Sequence, residues 1–301
     1  MPVSGPSVAV VMSTYNGADH LVEQLESVLG QDVGALSVLV RDDGSSDGTL
    51  ELLRSYASAG NVELVKGENL GVTRSFLDAL SRVPRSVEYV ALCDQDDVWH
   101  ADKLSRALDV LEAKGRDLPR LYCSEYTFCD ADMRPQGRSR LNRIGVDFPK
   151  MLFENRGSGN TMVLNRRLVD LVVEAGPDDV YCHDWWIALV ATAVGELTYD
   201  DVSTLEYRRT GSNASPTGSG GLRLLRYRVR TFLQRGQLDD VTRQLGKLEA
   251  VFGERMDARR RDLLKRALRG GRLTKALTPL RLRQTLAGEL ALRVLFLAGL
   301  L

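Results

Sequence analysis

VEYVALCDQDDVW, residues 87–99, places three aspartates directly after an apolar run. A continuous apolar run, without strict alternation, is typical of a strand that is buried on both faces of a mostly parallel sheet. Asp94, Asp96 and Asp97 follow at the carboxyl end of this predicted strand, which is the edge where an open α/β sheet binds its ligands. The stretch therefore indicates a parallel sheet whose ligand site carries negative charge.

The segments on either side repeat this combination of apolar runs and helical spacing. Strands are predicted for SVAVVM, ALSVLV, VELV and VEYVALC, and helices near residues 18–29, 49–58, 72–81 and 101–113. This order of strands and helices predicts an α/β fold with a mostly parallel central sheet. No GxGxxG pattern follows the first strand, which argues against a dinucleotide-binding domain.

The rest of the chain is less regular and divides into two parts. A strand is predicted for RLYCSEYTF, an irregular connection for PQGRSRLNRIGVDFPK, a loop, strand and helix for GSGNTMVLNRRLVDLV, a helix for HDWWIALVATA, and two strands for ELTYD and STLEYRR. The Gly/Ser/Pro-rich run GSNASPTGSGG predicts a linker. We therefore expect an α/β domain at residues 1–214, a linker at 215–221 and a basic helical region at 222–301.

Composition and charge limit the classes of protein to consider. The 301 residues are 44% hydrophobic, which is ample for a folded core. The formal net charge is zero, but from residue 215 onward 19 Lys and Arg face 7 Asp and Glu, so an acidic body carries a basic tail. The four cysteines show no CxxC pair and no zinc spacing, so we expect reduced thiols in a cytoplasmic protein. Neither a signal peptide nor a transmembrane helix is evident.

The spacing of the aspartates in DQDD suits a divalent cation and a sugar hydroxyl. Carboxylates two residues apart at the end of a strand can be directed so that one accepts ribose hydroxyls while the next binds Mg²⁺ or Mn²⁺, ions that prefer oxygen ligands. The alternative is that Asp96 or Asp97 caps the helix predicted to begin near residue 101. A cap would account for one carboxylate, but not for three.

The chain resembles the family 2 glycosyltransferases with the GT-A fold. Five motifs in the family's order and spacing carry the resemblance: VVMSTYNGADHLVEQLESVLGQ, LVRDDGSSDGT, ENLGVTRSF, LCDQDDVWHADKL and YCHDWWIAL. The motifs DQDDVW, HDWW and YRRTGSN are most similar to those of the bacterial rhamnosyltransferase-type branch. The resemblance covers about residues 7–214 and leaves the basic tail outside. It implies a Rossmann-like GT-A domain with a mostly parallel sheet, followed by a helical C-terminal extension.

The resemblance implies a binding site for a nucleotide sugar of the UDP or dTDP type. Asp43 would accept the imino hydrogen of uracil or thymine, and Arg74 would pair with the diphosphate. Asp94 and Asp96 match the DXD positions that contact ribose and metal. Mg²⁺ or Mn²⁺ bound there would neutralise charge on the leaving diphosphate. The residues that the resemblance assigns to the nucleotide sugar are Ser13, Tyr15, Asn16, Asp42, Asp43, Arg74, Asp94, Gln95 and Asp96.

The resemblance also implies a catalytic base and a pocket for the sugar and its acceptor. Asp184 in HDWW matches the family's base, which removes the proton of the acceptor hydroxyl; the alternative is that it only caps the following helix. Trp185 and Trp186 offer an aromatic face for a sugar ring, with one of the two in the core. The pocket residues implied are Gly159, Asn160, His183, Trp185, Trp186 and Arg208. Two positions depart from the family pattern: His183 stands where many relatives carry Glu, and Thr210 stands where YRxHxxN has His.

Two uses of the basic tail remain open at this point. Residues 222–301 predict helices rich in arginine, and the last segment, QTLAGELALRVLFLAGLL, is too short and too interrupted by Glu289 and Arg293 to cross a bilayer. Basic helices with an apolar face suit peripheral contact with an anionic membrane. They equally suit packing on the body or a homodimer interface. Nucleic acid is not an expected partner, because aromatic residues are sparse among the basic ones.

The residues and the resemblance together predict an inverting, metal-dependent glycosyltransferase. It would move rhamnose or another deoxyhexose from a UDP- or dTDP-linked donor to a glycan or lipid-linked acceptor in bacterial surface polysaccharide synthesis. We expect it in the cytoplasm or peripherally on the inner face of the cell membrane. One alternative is a sugar-phosphate nucleotidyltransferase, although STYNGAD lacks the glycine-rich, basic loop expected after the first strand. The other is a non-catalytic, membrane-docked component that binds nucleotide sugars.

Overall fold

The computed structural model describes residues 5–209 and 235–301 of the chain. Parts of the prediction fall outside these residues, namely the end of the first domain at 214, the linker at 215–221, Thr210 and the start of the basic tail. The remaining predictions can be compared with the structure directly.

Strands and helices alternate along the first part of the described chain, as the sequence predicts. The strands are β1 (Ser7–Thr14), β2 (Ala35–Asp42), β3 (Glu63–Lys66), β4 (Tyr89–Cys93), β5 (Val98–Trp99), β6 (Arg120–Cys129), β7 (Pro135–Arg138), β8 (Val163–Asn165) and β9 (Glu196–Arg208). The helices are α1 (Ala18–Leu29), α2 (Thr49–Ser58), α3 (Val72–Arg82), α4 (Lys103–Ala113), α5 (Phe148–Met151), α6 (Arg166–Ala175), α7 (His183–Val194), α8 (Arg235–Phe252), α9 (Ala258–Arg269), α10 (Arg272–Ala276) and α11 (Leu286–Ala298). Short 3₁₀ turns lie at Gly159–Thr161 and Gly253–Arg255.

The described strands form one sheet in the order β3-β2-β1-β4-β8-β6-β9-β5, with β7 paired to β6. The pairs β1–β2, β1–β4, β2–β3 and β6–β9 are parallel, whereas β8, β5 and β7 pair antiparallel to their neighbours. Thr14 lies opposite Asp42, and Met12 lies opposite Cys93. The loops that follow β1, β2 and β4 therefore leave the sheet at the same edge.

One strand prediction is wrong in detail. ELTYD and STLEYRR form the single strand β9, rather than two strands. The polar residues between them are accommodated because the register with β6 shifts near Ser124 and Glu125. Asp200 lies at this irregularity, where its carboxylate accepts hydrogen bonds from Arg106 Nε at 2.6 Å and from the Tyr122 hydroxyl at 2.8 Å. The polar residues that interrupt the apolar pattern are thus accommodated within one strand by a bulge and by the ion pair between Asp200 and Arg106.

The core lies on both faces of the sheet, which explains the uninterrupted apolar runs. Along β1, Val10 and Met12 pack in the cluster on one face, while Ala9 and Val11 pack in the cluster on the other face. Each valine buried in this way contributes roughly 1.5–3 kcal/mol relative to an exposed one. A strand covered on both sides therefore has no position for a polar residue until it reaches the sheet edge.

The C-terminal helices pack on the α/β body through their inner faces. Residues of α8, α9 and α11 belong to the same apolar cluster as α7. The ring of Phe252 in α8 lies 6.1 Å from that of Trp186, and the ring of Phe296 in α11 lies 5.2 Å from that of Phe153. Of the uses left open for the tail, packing on the body is therefore observed for these inner faces.

Two predicted absences can be compared with the part of the chain that the structure describes. Within residues 5–209 and 235–301, no helix has both the length and the apolar character needed to span a bilayer. The thiols of Cys93, Cys123, Cys129 and Cys182 are all unpaired, as expected for reduced cysteines.

Candidate active site

The loops after β1 and β4 are fixed to each other by Gln95. Its side chain accepts a hydrogen bond from the backbone N–H of Tyr15 at 2.8 Å and donates one to the Tyr15 carbonyl at 3.1 Å. A Cβ atom on Gly17 would overlap the end of the Gln95 side chain and displace it from these bonds. The Tyr15 ring remains half exposed at the edge of the cleft. Gln95 thus supports the loop that presents Tyr15.

Asp42 and Asn16 organise the loop after β2. The buried Asp42 carboxylate accepts hydrogen bonds from Thr14 Oγ1 at 3.0 Å and from the Ser45 N–H at 2.9 Å. The Asn16 side chain accepts from the Ser46 N–H at 2.8 Å. These bonds join the ends of β1 and β2 through Asp42 and Asn16.

Asp43 connects β2 to the start of α3. Its buried carboxylate pairs with Arg41 and accepts hydrogen bonds from the N–H groups of Leu70 and Gly71, both at 2.9 Å. Arg41 also donates to Ser75 Oγ at 3.0 Å. The sequence reasoning missed Arg41, although a charged residue inside the apolar run LVRDD is a signal for a buried ion pair. A base that binds to Asp43 would share the carboxylate with these donors.

Ser13 belongs to the same network, whereas Arg74 does not. Ser13 Oγ lies 2.6 Å from Ser75 Oγ. The guanidinium of Arg74 instead forms an exposed ion pair with Asp178 at 3.0 Å, on the loop before α7. An exposed pair of this kind contributes only about 0–1 kcal/mol. A diphosphate could therefore replace Asp178 as the partner of Arg74 at little cost.

The structure brings Asp94, Asp96 and Asp184 together from two separate loops. Burial, together with the charges of Asp96 and Asp184, raises the pKa of Asp94 to about 7. Burial also raises the pKa of Asp96, while the nearby charges of His20 and Arg208 lower it. The DQDD loop and the start of α7 therefore lie close enough for the charges of Asp96 and Asp184 both to act on Asp94.

Asp97 holds the DQDD loop in place and does not cap a helix. Its buried carboxylate accepts hydrogen bonds from Asn160 Nδ2 at 2.5 Å and from the Arg208 N–H at 3.4 Å. Burial, together with the charges of Asp94 and Asp96, raises the pKa of Asp97 well above its ordinary value. The helix α4 begins after Asp102, whose side chain makes no capping bond. The alternative reading of DQDD as a helix cap is therefore wrong.

Lys103 is a buried cation that the sequence reasoning did not identify. Its ammonium donates to the Asn160 carbonyl at 2.9 Å and lies 4.6 Å from the centre of the Trp99 ring. Burial lowers the pKa of Lys103 to about 8, against the attraction of Asp97 and Asp94. A lysine on the apolar face of a helix directly after DQDD is the signal that could have found it. Its charge offsets part of the repulsion in the cleft.

Asp184 lies inside the first turn of α7, and one of its two oxygens has no partner among the described residues. Oδ1 accepts hydrogen bonds from the Trp185 N–H at 2.6 Å and from Cys182 Sγ at 2.8 Å. Oδ2 lies 3.9 Å from the position that a Cβ on Gly159 would occupy. Cys182, and not Asp184, is the residue before the helix. Asp184 still satisfies one of the free N–H groups of the first turn through its bond from Trp185, so its carboxylate does cap the helix in part. The positive end of the helix dipole lies beside this carboxylate.

His183 is a buried, neutral imidazole beside this carboxylate. Its ring stacks on Phe76 with centroids 4.3 Å apart, and burial lowers its pKa. Neither ring nitrogen has a hydrogen-bond partner in the described part of the chain. A Cβ on Gly159 would come within 3.1 Å of Nε2, so any larger residue at position 159 would crowd this buried nitrogen. A neutral imidazole offers one donor and one acceptor, and buried polar atoms without partners suggest a ligand.

The prediction that a tryptophan faces the sugar is wrong. Trp186 is fully buried between the sheet and α8, and its ring packs on Phe252. Trp185 is also buried, and its Nε1 donates to the Met151 carbonyl at 2.6 Å. The physical reason is that α7 is enclosed on almost every side, with buried residues from Trp185 through Ala193. Both adjacent rings therefore belong to the core.

Arg208 lies beneath the DQDD loop rather than in an open pocket. Its side chain is buried, its Nε donates to the Asp96 carbonyl at 3.1 Å, and its Nη2 pairs with Glu23. Nη1 donates to the Ala131 carbonyl at 3.0 Å. Arg208 thus positions the loop and places a positive charge near Asp96. This differs from the predicted contact with the sugar or acceptor.

The residues of the DQDD loop fit a divalent cation. Asp94 and Asp96 offer hard carboxylate oxygens of the kind that Mg²⁺ and Mn²⁺ prefer, and a cation between them would relieve their repulsion. A second group, Cys182, His183 and Asp184, has ligand atoms within 4.8 Å of one another. Burial and the charge of Asp184 raise the pKa of the Cys182 thiol, and a protonated thiol is a poor ligand. The chemistry therefore favours Asp94 and Asp96.

The raised pKa of Asp94 predicts how a cation stabilises the protein at different pH values. A carboxyl group whose pKa is higher in the folded state contributes stability at low pH and loses it as the pH rises through the folded-state value, here about 7. A cation requires the ionised carboxylate. We expect the increase in melting temperature caused by Mn²⁺ to grow between about pH 5.5 and about pH 8. Differential scanning fluorimetry measures this, and an increase that does not depend on pH would contradict it.

The sequence matches the model of one protein family, described as glycosyl transferase family 2, over residues 9–157. The matched range contains the loops after β1, β2 and β4, and it ends at the small-residue turn before β8. Asp184 and the tail lie beyond it.

Comparisons with individual proteins extend this match. The chain is 26% identical over 219 residues to dTDP-rhamnosyl transferase RfbG of Shigella flexneri, covering 67% of this chain and 72% of the relative. It is 33% identical over 160 residues to TuaG of Bacillus subtilis, named as a glycosyltransferase of teichuronic acid biosynthesis, covering 52% of this chain and 59% of that protein. The chain thus spans less than two thirds of the second relative.

A solved structure establishes the fold. The mannosyltransferase PcManGT from Pyrobaculum calidifontis, in complex with GDP-Man and Mn²⁺, superposes with a TM-score of 0.52 at 21% identity, covering 97% of this chain and 82% of that chain. The fold is the GT-A fold with C-terminal helices, and the fold prediction is confirmed.

Proposed function

The chain belongs to glycosyl transferase family 2, and on that premise we propose that it is an inverting, metal-dependent enzyme that transfers a sugar from a nucleoside diphosphate to a hydroxyl group. The main support for this proposal is the proximity of Asp94 to Asp96 and Asp184 at the carboxyl edge of the sheet, since the charges of both raise the pKa of Asp94. Two of these carboxylates suit the diphosphate side of the reaction, and the third suits the acceptor side.

Asp184 is the base in this proposal. Its Oδ2 removes the proton of the acceptor hydroxyl while the hydroxyl oxygen attacks the anomeric carbon of the sugar. The bond between that carbon and the diphosphate oxygen breaks, and the nucleoside diphosphate leaves with the bonding electrons. Attack opposite the leaving group inverts the anomeric configuration. The N-terminal position of Asp184 on α7 places this carboxylate at the positive end of the helix dipole.

The leaving group is held by the loops after β1, β2 and β4. Tyr15 offers an exposed aromatic surface to the base, and Asp43 offers a carboxylate at a fixed place. Arg74 exchanges its exposed partner Asp178 for the diphosphate. Mg²⁺ or Mn²⁺ held by Asp94 and Asp96 would supply positive charge to the developing diphosphate. We assign His183 to the sugar pocket, because neither of its buried ring nitrogens has a partner in the described part of the chain.

The donor that we propose is a dTDP- or UDP-linked sugar, with rhamnose or another deoxyhexose as the transferred group. The Shigella flexneri relative is named as a dTDP-rhamnosyl transferase, which supports this donor class. The Bacillus subtilis relative is named for teichuronic acid biosynthesis. We therefore propose a glycan or lipid-linked acceptor in bacterial surface polysaccharide synthesis, with the reaction in the cytoplasm at the inner face of the membrane.

Product analysis tests the proposed reaction. The protein is incubated with dTDP-rhamnose or a UDP-sugar, Mn²⁺ and an extract of bacterial lipid-linked glycans, and the released nucleotide is identified by ion-exchange chromatography. We expect nucleoside diphosphate in amounts equal to the glycosylated acceptor. Release of pyrophosphate from a nucleoside triphosphate and a sugar phosphate would instead identify a nucleotidyltransferase. Binding of the nucleotide sugar without turnover on any acceptor would support a non-catalytic component.

A further inference from the structure

The last helix of the chain presents an apolar face to solvent. Leu286, Leu290, Val294 and Leu297 in α11 are between 49% and 75% exposed. Their spacing of four, four and three residues places them on one side of the helix, because successive residues are about 100° apart. The opposite side carries Leu292 and Phe296, which pack in the core. The helix is therefore apolar on two faces, and only one of them is covered.

The two charged residues of α11 point toward the protein and not toward solvent. Glu289 accepts hydrogen bonds from the N–H groups of Leu282 and Arg283, both at 2.8 Å. Arg293 Nε donates to Glu289 at 2.9 Å, and its Nη2 donates to the Leu280 carbonyl at 2.7 Å. The charges that interrupt the last apolar segment in the sequence thus form an internal network. Nothing charged from α11 remains on its outer face.

The short helix α10 lies beside α11 and extends the exposed apolar area. Arg293 donates to the carbonyl groups of Lys275 and Ala276 at the end of α10, which fixes the two helices together. Leu273 and Leu277 are strongly exposed next to this junction. We define the outer apolar face as Leu273, Leu277, Leu286, Leu290, Val294 and Leu297.

Positive charge predominates in the segment that contains the outer apolar face. Residues 258–301 contain 11 Lys and Arg but only 2 Asp and Glu. Arg259, Lys265, Arg266 and Arg272 are exposed on α9 and at the start of α10. Large exposed apolar areas on a protein mark the binding site of a partner. A partner that binds this face must therefore be compatible with the positive charge of these exposed residues.

We propose that the outer apolar face of α10 and α11 docks on the surface of an anionic lipid bilayer. The leucines and Val294 enter the boundary between headgroups and acyl chains, and the surrounding arginines and lysines contact lipid phosphates. A second copy of the chain is a poorer partner, because two equally cationic rims would repel each other. The helix α11 has 13 residues, about 20 Å at 1.5 Å per residue, so it lies along the membrane surface and does not cross it.

Vesicle sedimentation tests the proposal with the full chain. We use vesicles of phosphatidylcholine alone and of phosphatidylcholine mixed with phosphatidylglycerol. The wild-type protein is expected to sediment with the anionic vesicles and much less with the neutral ones, and added salt is expected to release it. The double variant Leu290→Ser with Val294→Ser is expected to bind anionic vesicles about tenfold or more weakly, because two side chains lose apolar contact.

A matched control separates docking from general loss of apolar surface. Leu118→Ser removes an exposed leucine from the loop before β6, and this variant is expected to bind vesicles like the wild type. Both variants change exposed residues only, so each is expected to melt at the wild-type temperature. This check excludes misfolding as the cause of lost binding.

Three outcomes would overturn the proposal. The wild-type protein fails to bind anionic vesicles, or the double variant binds them as well as the wild type. In the third outcome, analytical ultracentrifugation finds a wild-type dimer that the double variant dissociates, which would assign the face to a second copy. In the first outcome, a protein that is also monomeric would indicate that another segment of the chain covers the outer apolar face, and membrane docking would be contradicted.

Discussion

Replacing Asp184 with Asn is expected to lower turnover by about 10²- to 10⁴-fold, the range typical of a lost general base, while binding of the nucleotide sugar persists. The amide keeps the size of the side chain, and its oxygen can still accept the hydrogen bond of the Trp185 N–H. It cannot accept a proton from the acceptor hydroxyl at neutral pH. Initial rates over a range of donor and acceptor concentrations separate kcat from KM.

A second readout distinguishes the base from a merely structural residue. The charge of Asp184 raises the pKa of Asp94, so the Asn variant should shift the pH dependence of Mn²⁺ stabilisation to lower pH. Glu174→Gln is the matched control, because Glu174 is an exposed carboxylate on α6 that pairs only with Arg255 in the described chain. Turnover that survives in the Asp184 variant would remove this residue from the mechanism.

Replacing Asp96 with Asn is expected to reduce activity by about 10²-fold or more, because several kcal/mol of charge stabilisation at the leaving diphosphate is lost. The same change should abolish the rise in melting temperature that Mn²⁺ causes. Without metal, we expect the opposite sign, since burial raises the pKa of Asp96 and its ionised form repels Asp94 and Asp97. The metal-free variant should therefore melt above the metal-free wild type.

The Asp96 variant is thus expected to lose the Mn²⁺ effect and yet to melt at a higher temperature than the wild type without metal. Damage to the fold would not produce this combination. A misfolded variant would melt lower both with and without Mn²⁺. Asp132→Asn is the control, because Asp132 is an exposed carboxylate paired with Arg134 outside the cleft. If the Asp96 variant keeps both full activity and the Mn²⁺ effect, or if chelation leaves the wild type fully active, Asp96 is not a metal ligand.

Much of the fold could be predicted because it depends on local pattern. The buried strands β1, β2 and β4 lack charged residues until their carboxyl ends, so the position of Asp42, Asp94 and their neighbours at the sheet edge follows from the runs themselves. The grouping of Asp94 with Asp184 could not come from pattern alone. That grouping was predicted from the order of the family's motifs, because Asp94 and Asp184 are 90 positions apart in the sequence.

The errors share one physical cause, which is contact between segments that are distant in sequence. The resemblance assigned Trp185 and Trp186 to a sugar, but α8 covers the side of α7 that the sheet leaves open. The resemblance assigned Arg208 to the pocket, yet its partners Glu23 and Asp96 lie far earlier in the chain.

Gln244 shows what the attachment of the C-terminal helices means for the enzyme as a whole. Its side-chain oxygen accepts hydrogen bonds from the N–H groups of Tyr181, at 3.0 Å, and Cys182, at 3.4 Å, immediately before the helix that bears Asp184. The C-terminal helices thus support the start of α7 and are not a detachable anchor. Shortening the chain before α8 would expose Trp186 and release the backbone that precedes Asp184. The properties of such a fragment would therefore reflect this loss of structure rather than any separate function of the tail.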